Sequence, residues 1–294
     1  MKILITGADG FIGKSLLEYL SKKNISVIGI SRKISNKKLQ KISLFNSKKL
    51  QSFINRNKFD AVIHLAASIN EEDPDTMLKN NYITTLNLLN ACKSTKKFIF
   101  TSSHAVYGKS EYLPIDEKHP KNSVTNYGLS KIICENLCKM FHNSYNLDMI
   151  ILRLSSVYGK GQTSKTLIPT LISHSIKKEP IQLHQYKNGY QIMDLINIQD
   201  VCRVIYLAIK SKKSFGIYNI ATENPITVKE IADEINKINP SKIINKKISS
   251  NCNHFLYDTS KAKNELCFKS KINFKKSLYP LFSNINKRTN SNLR

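Results

Sequence analysis

Tyr127 and Lys131 stand four residues apart at the start of a stretch of helical spacing from 127 to 145, which puts a phenol and an ammonium on one helix face. An ammonium close to a phenol favours its ionised form, so such a pair can exchange a proton with an alcohol or a ketone oxygen. Spacing alone decides little, because Tyr19/Lys23, Tyr206/Lys210 and Tyr257/Lys261 repeat it in this lysine-rich chain. Placement singles out Tyr127. It opens the helix that follows the strand-like run 97–101, and Ser103 stands at the end of that run. Open α/β sheets bind ligands at the carboxyl ends of their strands, so Ser103 is placed to hydrogen-bond a reacting oxygen while Tyr127 moves its proton.

A second constellation lies at the N-terminus. Gly7-Ala8-Asp9-Gly10-Phe11-Ile12-Gly13 follows the apolar run 2–6 and leads into helical spacing over 11–23. Glycines so spaced let a pyrophosphate approach the backbone and let helix pack on strand. The first helical turn, with Phe11 and Ile12, then offers free N–H groups and a positive dipole end to phosphates. This pattern predicts a nicotinamide dinucleotide site. The end of the second strand reads Gly29-Ile30-Ser31-Arg32-Lys33, with no acid in reach along the chain. Arg32 can pair bidentately with a 2′-phosphate and Ser31 can add a hydrogen bond, which favours NADP over NAD. The plainer alternative is that Arg32 and Lys33 are surface charges.

The elements that must hold these groups alternate. Strands are expected at 2–6, 26–30, 61–65, 97–101 and 149–154, with helices over 11–23, around 50–55, and over 76–94 and 127–145. Such alternation predicts an α/β fold of Rossmann type, a doubly wound parallel sheet covered on both faces. Residues 1–160 read as the dinucleotide-binding domain, completed by a strand-helix-strand return at about 192–221. A helix and a hairpin-like excursion at 161–191, together with 222–283, read as a smaller interleaved substrate lobe. Thr227 is the expected cap of a helix over 227–239, and 284–294 reads as a frayed tail.

Composition excludes some classes. The chain has 294 residues, 41% hydrophobic, with no apolar stretch of the roughly 20 residues a membrane span needs. Its N-terminus leaves no room for a cleaved leader, so a cytoplasmic protein is expected. Six scattered cysteines read as reduced core thiols; Cys134 and Cys138 would share a helix face, but no second pair has zinc-ligand spacing and no metal is expected. The net charge of +25 comes almost wholly from dispersed lysine, with no nucleic-acid-binding signature, so an anionic small ligand is preferred to nucleic acid as its partner.

Further motifs, in order, resemble the extended short-chain dehydrogenase/reductases, in particular the NAD-dependent epimerase/dehydratase family, which modifies nucleotide sugars. His64-Leu65-Ala66-Ala67 is similar to the family's HLAA, and Asn81 falls in its N-x-x-G-T-x-N-L-L helix, with Thr84 in place of the glycine. Residues 100–108 resemble its SSS-x-x-VYG segment, Tyr127 to Lys131 with Glu135 its YGxSKxxxE, and 153–162 its LRxxNVYGPGQ. Tyr218-Asn219-Ile220 and Asp258 to Ala262 resemble its YNI strand and DxSKA turn. The resemblance implies that Leu65, Ala66, Ala67 and Asn81 border the cofactor, that Lys131 holds the nicotinamide ribose, and that Ser103, His104, Ala105 and Ser156 face a nucleotide-sugar substrate. It also implies a homodimer paired through two helices.

Departures narrow the reaction. Where dehydratases of the family carry Thr-Asp-Glu this chain has Ser103-His104-Ala105, so water elimination lacks its carboxylates. Ser156 replaces an asparagine, and Met193 replaces an arginine that meets the diphosphate, a charge that Lys165 or Lys187 would have to supply. The first reading is a 4-ketoreductase using NADPH with Tyr127 as proton donor. The alternative is a nucleotide-sugar C4 epimerase with bound NAD, and a further one is an NADP-binding or RNA-binding relative without turnover.

Overall fold

The computed structural model describes residues 1–33, 36, 38–69, 73–162 and 166–291, with 283–291 described as backbone alone. The chain opens β1 (Lys2–Thr6), α1 (Phe11–Ser21), β2 (Ser26–Ser31), β3 (Leu39–Lys41), α2 (Ser47–Asn57), β4 (Ala61–His64), α3 (Pro74–Ala91) and β5 (Lys97–Ser103). A short 3-10 turn, His104–Val106, precedes α4 (Asn126–Tyr145), β6 (Asp148–Leu154), β7 (Ser156–Tyr158) and α5 (Leu167–Lys177). Then come β8 (Ile181–Gln185), β9 (Ile192–Met193), β10 (Leu195–Asn197), α6 (Ile198–Lys210) and β11 (Phe215–Ile220). The chain closes with β12 (Ile226–Thr227), α7 (Val228–Ile238), β13 (Ile243–Lys247), α8 (Ser260–Leu266) and α9 (Phe274–Ser291).

Among the described residues seven strands form one sheet in the order β11-β6-β5-β4-β1-β2-β3, with every neighbouring pair parallel. This is the Rossmann-like doubly wound arrangement. The strand order reverses between β1 and β4, and that switch opens a crevice at the carboxyl ends of both. Side-chain alternation builds the two cores. Ile3, Ile5, Ile63, Ile99 and Ile150 pack on one face against α1 and α6, while Leu4, Val62, Phe98, Phe100 and Met149 pack on the other against α2, α3 and α4. Each such buried side chain contributes about 1.5–3 kcal/mol, which makes the strand ends a rigid floor for the crevice.

Caps start the helices where the sequence signals them. Asn46, Asp73 and Thr125 each accept a backbone N–H at the starts of α2, α3 and α4, and Thr227 forms a reciprocal capping box with Glu230 on α7.

Three expectations are corrected. The lysine-rich segment after β2 holds the edge strand β3, which is polar on its exposed side and so gives no apolar run. The excursion after α5 is no hairpin of strands: β8 pairs in parallel with β13, 62 residues later at the register Ile181 to Ile243, and the reversal is confined to a turn closed by the Tyr186–Gly189 bridge. Of the cysteines, 92, 134, 138 and 202 are buried, but Cys252 is half-buried and Cys267 is exposed at the left-handed end of α8. The expected tail falls on residues 284–294, outside those whose side chains are described. No helix among the described residues is long and apolar enough to cross a membrane.

Candidate active site

β5 runs two residues further than its apolar stretch implied, so Ser103 is its last residue. The Ser103 hydroxyl accepts the Ala105 N–H at 3.2 Å, capping the 3-10 turn, which leaves its own proton to donate. Across from it, Thr125 caps α4 by accepting the Gly128 N–H at 3.1 Å and so sets Tyr127 at the mouth of the helix. One turn on, the buried Lys131 has its Nζ 5.7 Å from the Tyr127 ring centroid. Tyr127, Lys131, Ser103, His104 and Ser156 all line one cavity of about 590 Å³, whose far wall is Gly7, Gly10, Phe11, Ile12 and Gly13.

The glycine turn is built for this proximity. Gly7 has φ +66°, and a Cβ there would lie 2.8 Å from the Ala66 nitrogen; a Cβ on Gly13 would lie 2.6 Å from the Ala8 Cα. Gly10 heads α1 with no side-chain cap, so the first-turn N–H groups stay open toward the crevice. A second cavity of about 210 Å³ continues around the turn, sharing Gly7, Gly10, Leu65 and Ala67 with the first. Its walls include Ser31, Arg32, Ala66 and Asn81, together with Phe45 from the loop before α2. The two cavities together form one elongated cleft that fits a dinucleotide lying across the switch point.

Residues 3–221 match the model of the NAD-dependent epimerase/dehydratase family. The chain belongs to that family. A Methanocaldococcus jannaschii protein provisionally named UDP-glucose 4-epimerase is 33% identical over 250 residues, 79% of this chain and 81% of that one. The UDP-N-acetylglucosamine 4-epimerase of Bacillus cereus is 26% identical and superposes with a TM-score of 0.87 over 96% of each chain. The UDP-glucuronic acid 4-epimerase of the same organism, solved with UDP-glucuronic acid and NAD, is 26% identical with a TM-score of 0.86, over 98% of this chain and 100% of its own.

Within the family's framework, the residues expected at the cofactor and the sugar all line the cleft except Ala105. Ala105 lines neither cavity, because the 3-10 turn directs its carbonyl at Gly128, where any Cβ would clash with it. Asn81 borders the smaller cavity, yet both its amide N–H groups are used: Nδ2 donates to the Ser68 carbonyl and to Ser130 Oγ, both at 3.0 Å, while Oδ1 accepts the Ser68 N–H at 2.7 Å. Asn81 thereby ties the loop after β4 to α4 behind the cleft. Met193 lines the larger cavity where the family's arginine was expected, Lys187 lines neither cavity, and Lys165 lies outside the described residues.

The expected His104 is joined in the wall by two residues that the sequence motifs did not single out, Ser155 and Gln162. Buried polar atoms at His104 Nδ1, Ser155 Oγ and Gln162 Oε1 have no hydrogen-bond partner among the described residues, and all three residues line the larger cavity. A sugar hydroxyl is the kind of group that satisfies such atoms. Burial pushes the His104 imidazole down to about 4, so near pH 7 it is neutral, with Nε2 3.4 Å from Ser156 Oγ. Behind this wall, the buried Glu135 carboxylate accepts Ser102 Oγ at 2.7 Å and Arg153 Nε and Nη2 at 2.9 and 2.8 Å. Burial would raise the Glu135 carboxyl, but Arg153 outweighs it and holds the group below its ordinary value.

Proposed function

We propose that this chain is a nucleotide-sugar C4 epimerase that works with a bound nicotinamide dinucleotide. The observation that carries the reading is the convergence of Ser103, Tyr127 and Lys131 on one cavity that is continuous with the uncapped Gly7 to Gly13 turn. When bound, the dinucleotide supplies a carbon that accepts a hydride and returns it. Tyr127 Oη takes the proton of the sugar hydroxyl as the hydride leaves, and gives it back when the ketone is reduced from the other face. Ser103 donates its free O–H to the reacting oxygen, and the Lys131 ammonium stands beside the Tyr127 ring, 5.7 Å from its centroid. His104, Ser155, Ser156 and Gln162 hold the sugar, while Leu154, Val157 and Met193 keep the wall apolar. The Gly7 to Gly13 turn takes the pyrophosphate, with Leu65 and Ala67 between the two cofactor halves.

Epimerisation is preferred to the expected ketone reduction because both Bacillus cereus enzymes are UDP-sugar 4-epimerases that align along nearly the whole chain. Dehydration is disfavoured because His104 and Ala105 stand where its two carboxylates would be, and Ala105 lines neither cavity. The expected homodimer is supported by exposed Leu129 and Met140, about three turns apart on one stripe of α4. Incubation with NAD, NADP or their reduced forms and a panel of UDP, dTDP and GDP sugars tests the reading. C4 inversion seen by proton NMR without net change in reduced cofactor is the expected result. Stoichiometric loss of NADPH with a 4-keto sugar, and no inversion, would return the assignment to a reductase.

A further inference from the structure

The exposed cations Arg32 and Lys33 at the end of β2 share the smaller cavity with a carboxylate from elsewhere in the chain, that of Asp9 in the turn between β1 and α1. Ser31 Oγ donates to Asp9 Oδ2 at 2.7 Å and accepts the Lys33 N–H at 3.1 Å. The serine proton expected to serve a 2′-phosphate is therefore committed to an anion. Asp9 is half-buried against the cavity wall, and no second hydrogen bond to it is found among the described residues, which leaves Oδ1 to accept.

A ribose diol presents two donors, which a fixed carboxylate can accept; a 2′-phosphate presents negative charge to the same oxygens. Arg32 and Lys33 are exposed and screened by solvent, so they offset little of that repulsion. We propose that Asp9, held by Ser31, is the specificity-determining residue by which this chain selects NAD over NADP. The carboxylate that a dinucleotide fold ordinarily places at the end of the second strand is supplied here from the glycine turn.

This inference rests on the dinucleotide reading above, and direct binding separates the two. Dissociation constants for NADH and NADPH are measured by nicotinamide fluorescence and by calorimetry for the full chain and for Asp9→Asn, Ser31→Ala and Arg32→Ala. NADH is expected to bind at least about tenfold tighter than NADPH. Asp9→Asn should shrink that ratio about tenfold, Ser31→Ala by less, and Arg32→Ala should leave it within about threefold. Tighter binding of NADPH by the unaltered chain, or an unchanged ratio in folded Asp9→Asn and Ser31→Ala, overturns the role of Asp9 while leaving a dinucleotide enzyme. Binding of neither probe overturns both readings.

Discussion

The Lys131 ammonium donates a 2.8 Å hydrogen bond to the carbonyl oxygen of Thr101, which pins the second turn of α4 to β5 near its carboxyl end. The same Nζ stands 4.8 Å from the Phe100 ring centroid. One of its three donors is thus spent on the backbone, and the rest of the head faces the cavity shared with Tyr127. A helix residue fixed from the strand side holds its neighbours with it. The phenol is positioned by the sheet as much as by its own helix.

Tyr127→Phe keeps the ring and removes the proton, so turnover should fall by about 10²–10⁴-fold while dinucleotide affinity stays within about threefold. Lys131→Ala should lower both, because it loses the strand anchor as well as the charge. Steady-state kinetics beside fluorescence titration of NADH distinguishes the two patterns. Unchanged turnover in Tyr127→Phe would remove the phenol from the chemistry.

Breaking the buried Glu135–Arg153 pair leaves Arg153 without a carboxylate, or Glu135 with only the half-buried Lys121 ammonium at 3.5 Å. Arg153→Leu or Glu135→Leu alone should cost about 3–5 kcal/mol in chemical denaturation, and the double Leu variant should recover much of that loss. Strict additivity of the two changes would mean that the pair is not coupled in the folded protein.

His64 is buried between Thr6 Oγ1 at 2.7 Å and Thr85 Oγ1 at 3.0 Å. Burial, with Lys131 nearby, lowers it from 6.5 to about 3. The unfolded chain therefore takes up the proton first as pH falls. Stability from this residue is complete above 6.5 and declines steadily below it, by about 2 kcal/mol at pH 5, until the loss levels off below the folded value. Urea unfolding at pH 7 and pH 5 measures it. His64→Gln should flatten the difference by about that amount, and an equal slope in both proteins would show that His64 does not carry the proton linkage.

The main strands are legible in the sequence because runs such as Ala61 to His64 are buried on both faces and carry their signal in composition. Ser103, Tyr127 and Lys131 were legible for a related reason: each is tied to the end of an element with a clear period. β3 was illegible because an edge strand with one buried residue has no pattern to show. The pairing of β8 with β13 was illegible because it depends on two segments far apart in the chain choosing each other.

Residue type and order by themselves determined that the chain alternates strand and helix, that a glycine turn heads the first helix, and that a phenol and a lysine share a helix face. These are local matters, settled within about a dozen residues by steric freedom and hydrophobic period. Only the tertiary structure decided that Ala105 turns away to Gly128, that Asn81 spends its amide on Ser68 and Ser130, and that Asp9 meets Ser31 at the end of β2. Each of those depends on a distance across the sheet, which parallel strand pairing and core packing set and which spacing along the chain does not encode.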